Sequence, residues 1–111
     1  MAVVGTRNVS PYGRRVTQEL VRELAGQGIV IISGLALGVD ALAHQAALQA
    51  NGLTIAILPG PVDKVYPATN ARLAEQILGQ GGALLSEYDE AESQAFKAHC
   101  IARNRLIAGL A

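Results

Sequence analysis

The sequence predicts an α/β protein, a Rossmann-like three-layer fold with a mainly parallel sheet. Three observations carry that expectation. Short aliphatic runs alternate with stretches of helical length in the order β-α-β-α-β-α-β. The runs are close to unbroken, as in strands covered on both faces, rather than alternating apolar and polar. The composition agrees: half of the 111 residues are hydrophobic, 12 are glycine and only 4% are aromatic. That length suits one domain, residues 1–111.

Met1–Gly5 reads as a short buried strand. It starts without a lead-in, which fits a chain cut from something longer or an abrupt start; the truncated core of a longer protein is the expectation. The first helix is expected over Ser10–Gln27, with Ser10 as N-cap and Pro11 at its first position. Val16, Leu20, Val21 and Leu24 form its apolar stripe, and Gly26 and Gly28 end it. Ile29–Ser33 is the second strand. A glycine-bearing turn, Ser33–Gly38, leads to a helix over Val39–Ala50, which Asn51-Gly52 ends. Thr54–Leu58 is the third strand. The proline-bearing loop Pro59–Pro67 precedes a helix over Asn70–Gly79, with Leu73, Ile77 and Leu78 facing inward. Ala83–Ser86 is the fourth strand. Ser93 is placed to cap a further helix from about Gln94, and the chain stops at Gly109-Leu110-Ala111, where another strand is expected.

Composition narrows the function. Nine Lys+Arg balance nine Asp+Glu, so no bulk charge drives the chain onto DNA or a membrane. The longest apolar run, near Gly28–Ser33, is too short to span a bilayer. The single cysteine, Cys100, excludes an internal disulfide and any zinc site built on several thiolates, and fits a reducing compartment. His99-Cys100 lacks further ligands at metal spacing, so no metal and no cofactor are expected.

Ligands of a parallel α/β sheet sit beyond the carboxyl ends of its strands. That rule selects Gly5-Thr6-Arg7, Ser33–Gly38, Leu58–Tyr66 and Ser86-Glu87. The first of these pairs backbone N–H groups near a helix start with the hydroxyl of Thr6 and the planar fork of Arg7, a combination suited to phosphate. The alternative is a tight turn with a solvated arginine. In the second, Ser33 offers a hydroxyl, while Gly34 and Gly38 admit either a ligand or close strand–helix packing. No dinucleotide fingerprint and no P-loop is present. Asp40 and His44 share a helix face, and with Ser33 they could be imagined as a hydrolase triad. Without a nucleophile elbow, the better reading is that Asp40 caps and His44 completes a network shaping the Ser33–Gly38 loop. Two readings stay open for Arg103-Asn104-Arg105: a second phosphate clamp, or arginines answering the acidic residues Glu87, Asp89, Glu90 and Glu92.

Five motifs in order resemble one family. They are Gly5-Thr6-Arg7; Ser33-Gly34-Leu35-Ala36-x-Gly38-Val39-Asp40-x-x-Ala43-His44; Val62-Asp63-x-Val65-Tyr66-Pro67-x-x-Asn70; Leu84-Leu85-Ser86-Glu87-Tyr88; and Arg103-Asn104-Arg105-Leu106-Ile107-Ala108-Gly109-Leu110. Together they resemble the Rossmann-like core of the DNA-processing protein A family (DprA or Smf) over essentially the whole chain. The resemblance implies a bacterial, cytoplasmic, non-enzymatic protein that binds single-stranded DNA in natural transformation. Such proteins protect incoming strands and help load the RecA recombinase, usually as homodimers, with later segments of the full-length protein carrying dimerisation. By motif, Gly5, Thr6, Arg7, Ser33 and Gly34 would line the DNA pocket, and Arg103, Asn104 and Arg105 its other wall. Gly38, Asp40 and His44 would be scaffold.

Two departures from the family pattern stand out. Pro59-Gly60-Pro61 replaces a Gly-Cys-Gly-like turn, and Asp89–Ala102 replaces a glycine-rich segment, with Phe96 placed to stack on a base or to pack. The alternative function is a nucleotide-binding sensor, or a nucleotide-cleaving enzyme of the related phosphoribohydrolase (lysine-decarboxylase-like) type. The enzyme's Pro-Gly-Gly-x-Gly-Thr-x-x-Glu motif is absent here.

Overall fold

The computed structural model describes residues 1–65, 67–88 and 102–110. Three strands, β1 (Ile31–Ser33), β2 (Thr54–Leu58) and β3 (Ala83–Ser86), form one parallel sheet in the order β1-β2-β3. Its register pairs Ile31 with Thr54 and Ile55 with Ala83. Between them run α1 (Pro11–Gly26), α2 (Val39–Gln49), a 3-10 turn over Ala68–Asn70, and α3 (Ala71–Gly79). A last helix, α4 (Asn104–Leu110), follows β3.

Side chains alternate across a strand, and each face of this sheet has its own cover. On one face, Val21 and Ala25 of α1 and Ala43, Ala46 and Ala47 of α2 gather around Ile31. Leu73, Ala74 and Ile77 of α3 pack with Leu48 against Ala56 and Leu58 on the same face. The other face carries Ile32 and Ile57, which Ile107 of α4 covers. The result is the expected three layers, with α1, α2 and α3 on one side and α4 on the other.

Three local expectations need correction. The strand expected over Met1–Gly5 contracts to a single parallel bridge between Ala2 and Ile32, held by Val3 N–H to the Ile32 carbonyl and Ile32 N–H to the Met1 carbonyl. Its ladder stops because the Ser33 hydroxyl takes the Val3 carbonyl. In α1, Ser10 does cap the helix, accepting from Gly13 N–H at 3.0 Å, but Val16 and Leu20 are exposed. Its buried residues, Val21 and Ala25, lie in the last turns, so the apolar stripe meets the core only there. In α3, Leu73, Ala74 and Ile77 form the buried stripe, and Leu78, about 100° further round the helix than Ile77, points to solvent.

The acidic residues Asp89, Glu90 and Glu92, the helix expected from Gln94 with its cap Ser93, Phe96, Lys97, His99 and Cys100, and Tyr66 lie outside the described residues. Among the described residues, no helix is long and apolar enough to cross a membrane.

The two faces of α3 give a direct check. Ile77→Ala should cost about 2–5 kcal/mol in urea unfolding, as a core truncation that leaves a cavity. Leu78→Ala should change stability by no more than about 0.5 kcal/mol.

Candidate functional site

A small cleft opens beyond the carboxyl ends of β1 and β2, with a cavity volume of about 30 Å³. Gly34 and Arg103 form its inner part, Ala36, Leu37, Pro59 and Pro67 its walls, and the exposed Arg7 lies at its rim. The cleft is held from within by a set of side chains buried beneath it.

Arg103 leads that set. It is only 6% exposed. One guanidinium nitrogen, Nη1, donates to the Gly34 carbonyl at 2.8 Å and to the Ile57 carbonyl at 2.9 Å, so it bridges the ends of β1 and β2. Its Nε donates to Asn104 Oδ1 at 3.1 Å. The guanidinium lies where a side chain on residue 34 would go: a Cβ on Gly34 would sit 2.5 Å from Arg103 Cζ. Gly38 meets a similar constraint from the other side. Its φ is +82°, and a Cβ there would lie 2.3 Å from the Thr6 carbonyl oxygen. The room these two glycines provide is therefore occupied by the protein itself.

The loop between them is tied at successive backbone groups. Gly34 N–H donates to Asp40 Oδ2 at 3.0 Å, and Leu35 N–H donates to His44 Nε2 at 3.2 Å. The Leu35 carbonyl accepts from Asn70 Nδ2 at 2.8 Å. Val39 N–H, at the start of α2, donates to the Thr6 carbonyl at 3.1 Å. Leu35 itself has φ +59°, a conformation unfavourable for a leucine by about 1–3 kcal/mol. Ties at both its N–H and its carbonyl, together with a fully buried side chain, hold it there.

His44 shows how tightly this set is wired. Thr54 Oγ1 donates its proton to the Ile31 carbonyl at 2.8 Å, so at the 2.7 Å contact between Thr54 Oγ1 and His44 Nδ1 the histidine must be the donor. Nε2 is then the acceptor for Leu35, and the ring is neutral. Burial, helped by the nearby Arg103 charge, lowers its pKa to about 3. Asp40 is pushed the opposite way, upward from the ordinary carboxylate value, because burial outweighs the Gly34 N–H, the Arg103 charge, the Gly5 N–H and the Ser33 hydroxyl that favour its ionised form. Ser33, Asp40 and His44 are not connected as a nucleophile, base and orienting acid. Ser33 donates to Val3, both nitrogens of His44 are engaged elsewhere, and Asp40 meets Gly34, Gly5 and Ser33 rather than His44.

The remaining site residues divide between the turn and the surface. Gly5 packs against Val39. Thr6 Oγ1 accepts from Asn8 N–H at 3.1 Å, which closes its own turn. Asn104 is exposed on α4. Arg105 donates to Glu87 at 2.6 Å, a surface ion pair that answers part of the acidic tract. The structure thus brings Arg7 and Arg103 to one cleft and directs Arg105 to Glu87. It also adds contributors to which the sequence assigned no role at the site. Asn70 makes no cap bond at the start of α3, and its amide serves the Leu35 carbonyl instead. Thr54 orients His44. Leu37, Pro59 and Pro67 supply the apolar walls.

Fold and site together define an α/β domain with a strand-end cleft, shaped by close-packed turns at Gly34 and Gly38 and carrying the exposed cation Arg7. The chain belongs to the family of DNA recombination-mediator protein A, whose model matches residues 1–111. It is 44% identical to protein Smf of Escherichia coli K12 over 110 residues, which is 99% of this chain and 29% of that protein. It is 46% identical to the DNA processing protein DprA of Streptococcus pneumoniae R6 over 110 residues, 99% of this chain and 38% of that one. Among solved structures it matches DprA from S. pneumoniae with a TM-score of 0.85 at 44% identity, covering 98% of this chain and 38% of that chain. It also matches DNA processing protein A from Helicobacter pylori, described for its single-stranded DNA binding mode, with a TM-score of 0.82 at 43% identity, covering 96% of this chain and 47% of that chain. The chain spans about a third of the length of the curated relatives it matches.

The buried histidine predicts a pH dependence. Its folded pKa lies below the ordinary value of 6.5, so the unfolded chain takes up the proton first as pH falls. His44 should therefore remove stability as pH drops below 6.5 towards 3, by up to about 1.4 kcal/mol per pH unit. In urea unfolding between pH 8 and 4.5, His44→Gln should be less stable at pH 8 by about 1–3 kcal/mol, and the gap to the parent chain should narrow with acidification.

Proposed function

We propose that this chain binds single-stranded DNA at the cleft beyond β1 and β2, with a backbone phosphate held by Arg7. The observation that carries the reading is the placement of Arg7, an exposed planar cation at the rim of a pre-shaped cleft on the favoured edge of a parallel sheet. Gly5, Thr6, Ser33, Gly34, Gly38, Asp40 and His44 shape the cleft from behind. Arg103 closes its inner end, and Asn104 and Arg105 flank it on α4. Family membership and the likeness to the H. pylori protein support DNA as the ligand.

On this reading the chain acts by binding, without turnover, since the polar side chains behind the cleft are committed to holding the loop. Residues 1–111 form one domain of a longer cytoplasmic protein that works as a homodimer. Its task is to protect strands taken up in natural transformation and to help load the RecA recombinase onto them. These finer roles rest on the family resemblance.

Fluorescence anisotropy with labelled oligo-dT across a salt series tests the reading. Affinity should fall steeply with salt, as phosphate contacts release counterions. Arg7→Ala should weaken binding by about tenfold or more, the loss expected for a charge-assisted hydrogen bond. If oligo-dT fails to bind at low salt while a mononucleotide binds, the DNA reading is wrong and the nucleotide-sensor reading replaces it.

A further inference from the structure

The chain leaves α2 through Asn51-Gly52, at the end of that helix remote from the cleft. We propose that this dipeptide is a self-modification site. Asn51 deamidates by attack of the Gly52 backbone nitrogen on its side chain, and the hydrogen bond that closes the end of α2 holds the reaction back until that end opens.

The fold demands both residues. Asn51 has φ +57°, the left-handed conformation that commonly follows a helix end and that glycine and asparagine adopt most readily. Gly52 lies against α1, where a Cβ would sit 2.8 Å from the Ala25 Cβ. Asparagine is a chemically labile residue, and its neighbour decides how labile. Asn8, Asn70 and Asn104 are followed by Val9, Ala71 and Arg105, whose side chains hinder attack by the next backbone nitrogen. Asn51 is exposed and is followed by a bare glycine. In the reaction the Gly52 nitrogen bonds to Asn51 Cγ, gives up its proton to solvent and expels ammonia. Water then opens the cyclic imide at either carbonyl, leaving aspartate or isoaspartate at position 51.

The folded chain restrains the first step. The Gly52 N–H that must lose its proton donates to the Ala47 carbonyl at 2.9 Å, and Asn51 N–H donates to the Leu48 carbonyl at 3.0 Å. The Gly52 bond has to break before the nitrogen can turn on the side chain. A helix end opens at far lower cost than the whole fold, so the restraint is partial. The product then acts back on the structure. Its carboxylate stands at the carbonyl end of α2, where the helix dipole disfavours negative charge. Isoaspartate also adds a methylene to the backbone beside Gly52, where α2 packs on α1. The next residue, Leu53, accepts Ile31 N–H at 3.1 Å, so the strain reaches the start of the β1–β2 pairing.

Peptide mass mapping of the full chain through an incubation at pH 8, folded and in denaturing urea, tests the proposal. In urea, deamidation should be fastest at Asn51. In the folded chain it should still be found there, slowed by about tenfold, as one or two net hydrogen bonds allow. Gln49→Gly, which loosens the exposed last turn of α2, should speed the folded reaction by about threefold and leave the rate in urea unchanged. Asn51→Gly keeps a residue suited to the left-handed cap and should abolish the modification, and its Tm should hold through an incubation that lowers the Tm of the parent chain. Equal rates in the folded and unfolded parent chain, or a folded rate indifferent to Gln49→Gly, would overturn the gate. Deamidation no faster at Asn51 than at the other asparagines in urea would overturn the site itself.

Discussion

One buried cation ties the structure together. The Arg103 guanidinium lies between the carbonyls of Gly34 and Ile57, at the ends of two neighbouring strands, with Asp40 close enough to feel its charge. Burying a charge is costly unless it is paired and hydrogen-bonded. Here the acceptors are carbonyls at the carboxyl edge of the sheet, and Gly34 leaves the space that the guanidinium fills. Arg103 directly precedes α4, so the same contact fastens the second helical layer to β1 and β2. Its field also helps to keep His44 neutral, and that neutral ring accepts the Leu35 N–H.

The site therefore has two tiers with different work. The inner tier, Ser33, Asp40, His44, Thr54, Asn70 and Arg103, is buried and committed to backbone groups or to one another. It fixes the path of the Ser33–Gly38 loop, including the unfavourable backbone of Leu35. The outer tier, Arg7 and Leu37, is exposed and available. Such an arrangement places conformational cost in the fold and leaves little to be met on binding, which under the proposed function lets a cleft with few charges hold a flexible strand. On the proposed reading, a chain with no net charge can still bind DNA, because the cation at the rim matters more than the total.

Much of this was legible in the sequence, for local reasons. Thr54–Leu58 and Ala83–Ser86 are aliphatic runs with glycines just before them, and both form strands with those bounds. Asp40 and His44, four residues apart at the start of α2, share one helix face, and the structure turns that face to the preceding loop. What escaped notice depends on contacts distant in sequence. Arg103 meets Gly34 and Ile57 across 69 and 46 residues, so the Arg-Asn-Arg motif could be read as a phosphate clamp or as ion pairs. The structure gives Arg103 to backbone carbonyls and Arg105 to Glu87. Asn70 precedes α3 like a cap, and only the fold shows its amide turned to Leu35. Leu78 satisfies a helical period as well as Ala74 does, and which of them is buried is decided by how α3 lies on the sheet.

The loop at the cleft is part of the core rather than a mobile surface turn. Native-state hydrogen exchange of the Gly34 and Leu35 amides, in the parent chain and in Arg103→Gln, measures this directly. Protection comparable to that of the β2 amides is expected in the parent chain, falling sharply at both positions in the variant. Exchange at Gly34 and Leu35 as fast as in an exposed loop of the parent chain, or protection indifferent to the loss of Arg103, would contradict it.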